Sequence, residues 1–119
     1  PELAGILGSF TFHEKRSFSC CDAPDIFKTL QQYERPNIIV FGIETHVCIL
    51  QTTIDLIRTG FTPVVVADCT SSRKPYDREI ALRRMVSEGA IITTTESLLF
   101  ELTRTSESEV FRRISALVK

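Results

Sequence analysis

The stretch IIVFGIETHVCILQTTIDLIRTG, residues 38–60, decides the fold of this chain. It opens with a short apolar run and continues with the polar group Glu44-Thr45-His46, after which Cys48 precedes an amphipathic segment. Gly60 is a natural helix stop, and apolar residues recur before it at helical spacing: Val47, Leu50, Ile54 and Ile57. The stretch therefore predicts a buried strand, residues 37–43, that turns directly into a helix with Cys48 near its start.

The same strand-then-helix pattern recurs along the chain. Residues 61–68 and 89–95 are two further apolar, β-rich runs, and helical patterns follow them at Ile80–Val86 and Leu98–Leu102. Such alternation is typical of βαβ units on a parallel sheet. Because the strands are apolar throughout, we expect helices on both faces of the sheet. The predicted fold class is α/β, a three-layer α/β/α sandwich of Rossmann-like topology.

The flanking segments are less regular. An earlier helix is predicted from Pro24 to about Tyr33, with proline in its first turn. A last helix is predicted to begin at the capping box Ser106–Glu109. Residues 7–21 leave a short strand or a loop open, and residues 1–5 have the character of a loop.

Composition excludes several function classes. The chain has 119 residues, a net charge of −1 and a pI of about 6.2, so no electrostatic footprint for nucleic acid or an anionic membrane is visible. The cysteines lack C-x-x-C spacing, which argues against a disulfide framework or a zinc site: Cys20, Cys21, Cys48 and Cys69. Free thiols imply a reducing compartment, so we expect the cytoplasm and leave a mitochondrial location open. We expect no cofactor and no metal.

The position of Cys48 suggests chemistry. Ligands of open parallel α/β sheets bind beyond the carboxyl ends of the strands, where Cys48 lies. The backbone N–H groups and positive partial charge of a helix N-terminus favour the thiolate, which is the nucleophilic form. The plainer alternative is a buried, inert cysteine.

Four segments together resemble one family. FGIETHVCILQT (residues 41–52), VADCTSSR (66–73), DREIALRRM (77–85) and GAIITTTESLLFEL (89–102) are similar to segments of the isochorismatase-like cysteine hydrolases. This superfamily includes nicotinamidases and N-carbamoylsarcosine amidohydrolases, and the strongest resemblance is to isochorismatase-domain-containing proteins. The resemblance covers nearly the whole chain and implies the isochorismatase-like form of the predicted sandwich.

The resemblance also implies site residues. The family works with a cysteine, a lysine and an aspartate: Cys48 matches the nucleophile, and Lys15 in KRSFS matches the lysine. Without the resemblance, Lys15 would be interpreted as an exposed lysine. The aspartate ends an upstream strand in the family and has no counterpart before Lys15, and Asp22 and Asp25 do not match it.

The family pattern further places a cis peptide bond between Ile43 and Glu44. The backbone N–H groups of Glu44 and Cys48 would then form an oxyanion hole. Thr45, Asp68 and Arg73 are candidates for the pocket rim, with ordinary cap, turn and loop functions as alternatives. We interpret His46 as a helix-start or interface residue and His13 as a solvated loop histidine.

These observations predict a hydrolase that cleaves an amide-like C–N bond, or a related bond, of a small molecule through an acyl-enzyme on Cys48. A catalytically silent binding member of the same fold is the alternative, and a ribonuclease has less support. We expect a homo-oligomer. We also expect residues 1–119 to be the C-terminal portion of a single isochorismatase-like domain, because only three strong strands are visible where the family's sheet has about six.

Overall fold

The computed structural model describes residues 2–118, without the side chains of residues 2–4. Helices and strands alternate through most of this part of the chain, and a π-helical turn separates the first strand from the helix after it. In chain order the elements are α1 (Glu2–Leu7), α2 (Pro24–Gln32), β1 (Asn37–Ile43), the π-turn (Thr45–Ile49), α3 (Leu50–Arg58), β2 (Thr62–Ser71), α4 (Pro75–Glu88), β3 (Ile91–Thr93), α5 (Thr95–Thr103) and α6 (Phe111–Leu117).

The three strands form one parallel sheet in the order β1-β2-β3. The α/β fold class and its parallel sheet are therefore confirmed. β1 has the predicted bounds, whereas β2 extends to Ser71 and β3 is limited to three residues. β3 has three residues, and they pair with Val64, Val65 and Val66 of β2.

A single apolar core lies between the sheet and the helices of one face. α3 and α4 contact each other and both contact β2, so they lie on the same side of the sheet. Leu56 and Met85 have no exposed surface and come from these two helices. The buried residues of this core are Val40, Ile49, Leu56, Val65, Ala81, Met85 and Ala90. Through Ile49, the core thus fixes the π-turn that contains Cys48 against the end of β1.

A bulge in β2 shapes the edge of the sheet where the strands end. Val40 pairs with Val65, but Gly42 already pairs with Thr70, so β2 carries three extra residues relative to β1. Arg78 of α4 stabilises the bulge, because its guanidinium donates hydrogen bonds to the carbonyls of Ala67 and Thr70. The extra residues leave Asp68 and Cys69 exposed at this edge.

The expectation that helices cover both faces of the sheet is wrong for β1 within the described residues. Alternate side chains of a strand point to opposite faces. Val40 is buried under α3, whereas Ile39, Phe41 and Ile43 are 45%, 64% and 73% exposed. β1 is also an edge strand. Continuous apolarity predicted burial of this face, but within residues 2–118 this face of β1 remains largely exposed.

The structure corrects the terminal segments. Residues expected to be a loop form α1, and the segment from Gly8 to Cys21 contains no strand. The predicted capping box does not cap α6. That helix begins at Phe111, and its N-cap residue Val110 makes no side-chain cap hydrogen bond. The Ser108 hydroxyl instead accepts a hydrogen bond from the Val110 N–H within a turn.

Candidate active site at the end of strand β1

Cys48 lies in the π-turn that joins β1 to α3. The turn is defined by hydrogen bonds that span five residues: the Ile49 N–H donates to the Glu44 carbonyl at 3.2 Å, and the Leu50 N–H donates to the Thr45 carbonyl. The preceding peptide bond, between Ile43 and Glu44, is cis. Single π-helical turns are frequent at functional sites because they re-aim side chains locally. The sequence predicted a helix start here but not its π-helical form.

The Cys48 thiol is half-buried at the carboxyl end of a parallel strand. This is the edge of an α/β sheet at which ligands bind. Thr52 follows Cys48 by four residues, in the first turn of α3. The Cys20 N–H donates a hydrogen bond to the Thr52 hydroxyl at 3.0 Å. This bond anchors the loop that follows Lys15 to the helix that carries Cys48, and sequence reasoning missed Thr52.

Lys15 is held by its own loop. Its ammonium donates to the carbonyls of Ser17 and Phe18, both at 2.8 Å. The Ser17 hydroxyl in turn donates to the Ser19 carbonyl, and Ser19 is buried. Lys15 therefore has a defined position in a loop tied to α3, with two hydrogen bonds to backbone carbonyls rather than the solvated position of an ordinary surface lysine.

Polar side chains from the ends of β1 and β2 meet beside the π-turn. The Arg73 Nε lies 2.9 Å from Glu44 Oε1 and donates to Oε2 at 3.3 Å. The His46 Nε2 lies 3.5 Å from Glu44 Oε2, and its Nδ1 lies 2.9 Å from the Ser72 hydroxyl. We call these four residues the strand-end cluster. The structure thus brings the rim candidate Arg73 into contact with Glu44.

The other two rim candidates lie elsewhere. Thr45 is fully buried and its hydroxyl has no hydrogen-bond partner among the described residues, so it does not line an open rim. Asp68 is exposed and accepts hydrogen bonds from the Thr95 N–H and hydroxyl at 2.8 and 3.1 Å. Asp68 therefore fixes the start of α5. The sequence indicated only that Thr45 follows the strand, and burial of its side chain depends on tertiary packing.

An apolar cleft runs along β1, and Ile49, the residue after Cys48, is part of its lining. It lies between α2, α3 and the strand, and its lining residues include Ile26, Leu30, Ile39, Phe41 and Thr52. Cys48 itself is not among the residues that line it. Within residues 2–118, no group of three or more metal-ligating side chains is arranged to hold an ion. None of the helices in that range combines the length and apolarity of a membrane span.

The isochorismatase domain matches residues 1–97 of this sequence. The chain belongs to the isochorismatase family. Relatives agree with this assignment: isochorismatase family protein 1B of Dictyostelium discoideum is 41% identical over 108 residues, which are 89% of this chain and 52% of the relative. Isochorismatase domain-containing protein 1 of Danio rerio is 48% identical over 83 residues, 70% of this chain and 29% of the relative. The chain therefore spans about half or less of the length of these relatives.

Solved isochorismatase-like structures share the fold. The MAR1 ribonuclease of Caenorhabditis elegans is 40% identical with a TM-score of 0.79, over 87% of this chain and 53% of that protein. YcaC of Pseudomonas aeruginosa, solved with hexane-2,5-diol and covalent acrylamide, is 26% identical with a TM-score of 0.89, over 96% of this chain and 58% of that protein. The nicotinamidase PncA of Bacillus subtilis is 25% identical with a TM-score of 0.69, over 77% of this chain and 51% of that protein.

Proposed function

We propose that the protein is a hydrolase that cleaves an amide-like C–N bond of a small molecule, with Cys48 as the nucleophile. The observation that carries the proposal is the place of Cys48: a half-buried thiol in a π-helical turn at the carboxyl end of a parallel strand. Membership of the isochorismatase family and the likeness to a nicotinamidase support the reaction class. The likeness to a protein solved with covalent acrylamide agrees with a reactive group in this fold.

The proposed reaction has two steps. The Cys48 sulfur attacks the carbonyl carbon, an S–C bond forms, and the oxyanion accepts hydrogen bonds from the backbone N–H groups of Glu44 and Cys48. The C–N bond then breaks, and the amine leaves with the proton that the Cys48 thiol gave up. Water adds to the thioester carbon, the S–C bond breaks, and the acid leaves while a proton of the water returns to the sulfur. Lys15 supplies a positive charge that favours the thiolate. We assign no general base to residues 1–119, since Asp22 and Asp25 do not occupy the family position.

The free edge of β1 supports a second part of the proposal. One edge of β1 has no strand beside it within residues 2–118. This edge, the exposed apolar face and the adjacent cleft are suited to a further strand that packs beside β1. We propose that these residues form the C-terminal portion of a single catalytic domain, and that the remaining portion supplies the acidic proton carrier. The chain's share of its relatives' length is consistent with this division.

We also propose a homo-oligomer. Leu102 of α5 and Leu117 of α6 are 65% and 79% exposed and flank an apolar groove between the two helices. A second copy would cover this surface. Light scattering that reports a stable monomer at micromolar concentration would contradict the proposal.

The function is tested by ammonia release from a panel of small primary amides. We expect turnover by the full-length protein and a loss of at least about a hundredfold in C48A, because the acyl-enzyme cannot form. C69A is the matched control, since Cys69 is an exposed thiol at the same sheet edge, and it should retain activity. Turnover that survives C48A would refute the proposal.

A ribonuclease is the second candidate, and the likeness to a protein named MAR1 ribonuclease favours it. The same preparations should be incubated with single-stranded RNA. Cleavage of RNA by the wild-type protein and by C48A alike, without amide turnover, would support this alternative over the cysteine hydrolase.

A further inference from the structure

The strand-end cluster lies against the backbone segment that would form the oxyanion hole. Glu44 follows β1, whereas Ser72 and Arg73 follow β2, and the two strands are paired up to Ile43 and Ser71. The contacts of Arg73 and His46 to the Glu44 carboxylate therefore join two neighbouring strand ends across the turn. Glu44 and His46 are only 26% and 23% exposed in their side chains, so the cluster is partly shielded from water.

Glu44 also controls the backbone on both sides of the thiol. Its carbonyl accepts hydrogen bonds from the Val47 N–H at 3.1 Å and from the Ile49 N–H at 3.2 Å. Val47 and Ile49 are the residues immediately before and after Cys48. These bonds join the Glu44–Thr45 peptide to the peptides that precede and follow the Val47–Cys48 peptide, so the position of Glu44 is coupled to that of the backbone around Cys48.

His46 adds a second connection to the β2 end. The Ser72 hydroxyl accepts the His46 backbone N–H at 3.4 Å and contacts the His46 Nδ1 at 2.9 Å. With its proton on Nε2, the imidazole donates toward Glu44 and accepts from Ser72. Arg73 and the His46–Ser72 pair thus hold Glu44 from two directions.

We propose that Arg73 is a positioning residue that orients the Glu44 backbone amide for the oxyanion, acting through the Glu44 carboxylate. This inference rests on the proposed function of Cys48 and names the side chain that sets its oxyanion hole. An arginine suits the task, because its planar guanidinium can approach both carboxylate oxygens and so restrict rotation of the glutamate. Its own side chain is 78% exposed, so a large effect on global stability is not expected.

The test compares a reaction of the thiol that places a carbon-bound oxygen in the proposed oxyanion hole with a reaction that places none there. Propionaldehyde adds to a thiol: an S–C bond forms and the thiol proton moves to the carbonyl oxygen, which then lies in the oxyanion hole. Methyl methanethiosulfonate forms an S–S bond and releases methanesulfinate, without any carbon-bound oxyanion. Both are followed at Cys48 in the full-length protein by mass spectrometry, with Cys20, Cys21 and Cys69 replaced by serine.

We expect R73A to weaken propionaldehyde binding about tenfold, with the disulfide-forming rate changed less than about threefold. R73K should recover part of the loss, because it keeps the charge without the planar fork. The double variant E44A/R73A should be no weaker than E44A, since Arg73 acts through Glu44. R83A is the matched control, because Arg83 forms an exposed ion pair with Glu79 on α4, and it should match the wild type.

The outcomes separate the inference from the proposed function. Absence of a thiohemiacetal on Cys48 in the wild type refutes the oxyanion hole and the inference together. If the wild type forms the adduct and R73A and R73K bind propionaldehyde as tightly as it does, the inference alone is refuted. Equal losses in both reactions also refute it, because Arg73 would then act on the thiol rather than on the oxyanion. Additive losses in E44A/R73A would exclude action through Glu44.

Thermal melting of each variant shows which of them fold. If R73A does not fold, R73K remains the test.

Discussion

At the residue scale, the four thiols of the chain occupy different environments. Cys48 lies half-buried in the π-turn before α3, Cys69 is exposed in the β2 bulge, and the backbone N–H of Cys20 donates to Thr52. Burial raises the pKa of the Cys21 thiol from an ordinary value of 9.0 to about 11, against the opposing effect of the Ser19 hydroxyl. The presence of four cysteines thus does not show which one reacts, because the position of each decides whether its sulfur is accessible as thiolate.

The thiols should therefore react in a fixed order with iodoacetamide at pH 7. Cys48 reacts first if it is the nucleophile, and Cys21 reacts last because its protonated form persists in the folded state. Mass spectrometry of briefly alkylated protein measures the order. Faster modification of Cys20, Cys21 or Cys69 than of Cys48 would contradict the assignment.

The Cys21 thiol also predicts a pH dependence of stability. Its folded pKa lies above the ordinary value, so the folded state binds the proton more tightly than the unfolded chain does. The stabilising contribution is fully present below pH 9 and is lost as the pH rises through about 11. Urea unfolding at pH 9.0 and at about pH 11 should show that the free energy of unfolding falls less for C21A than for the wild type. C69A serves as the control.

At the element scale, side chains from neighbouring strand ends fix the starts of the helices. The Thr94 hydroxyl caps α5 by accepting the Ser97 N–H, and Asp68 accepts the Thr95 N–H from across the sheet edge. The β-rich run at residues 89–95 predicts strand for Thr94 and Thr95, yet Thr94 is the N-cap and Thr95 the first residue of a helix. The sequence signal for a cap was present in Thr94, but the bond from Asp68 depends on strand pairing.

Replacement of Asp68 by alanine should lower the free energy of unfolding by about 1 kcal/mol, the usual effect of losing a side-chain acceptor at a helix start. The loss arises because the Thr95 N–H and hydroxyl lose their shared partner. Urea denaturation measures it, with E101A on the same helix as a surface control. If D68A and E101A unfold alike, Asp68 does not stabilise α5.

At the scale of the whole molecule, one face of β1 differs from the rest of the sheet. Ile39, Phe41 and Ile43 form an apolar row on an edge strand, and both features favour association with another chain. The core under α3 and α4 is complete, whereas this face is open within the described residues. We therefore expect the association state of the protein in solution to depend on whether this face of β1 is covered.

A polypeptide of residues 1–119 alone should self-associate and release no ammonia from amides. Static light scattering across concentration measures the association. F41S should reduce the association because it removes the largest apolar side chain of the row. Y76S should not, although Tyr76 on α4 is an aromatic residue of similar exposure. A soluble, cooperatively melting fragment that hydrolyses an amide would overturn this expectation and would direct the search for a base to Asp68 or His13.

The sequence by itself determined the alternation of strands and helices, the bounds of β1 and the place of Cys48 at its end. Those features depend on local apolar periodicity and on stop residues such as Gly60. The resemblance to the isochorismatase family could also be recognised from the sequence, because it rests on contiguous segments.

Only the tertiary structure decided how the segments meet. The burial of Thr45 depends on packing. The bond from Asp68 to α5 and the contact between Glu44 and Arg73 depend on the pairing of neighbouring strands. Arg73 lies 29 positions after Glu44, and no local pattern relates them. Their contact arises because parallel strands bring their carboxyl ends to the same edge of the sheet.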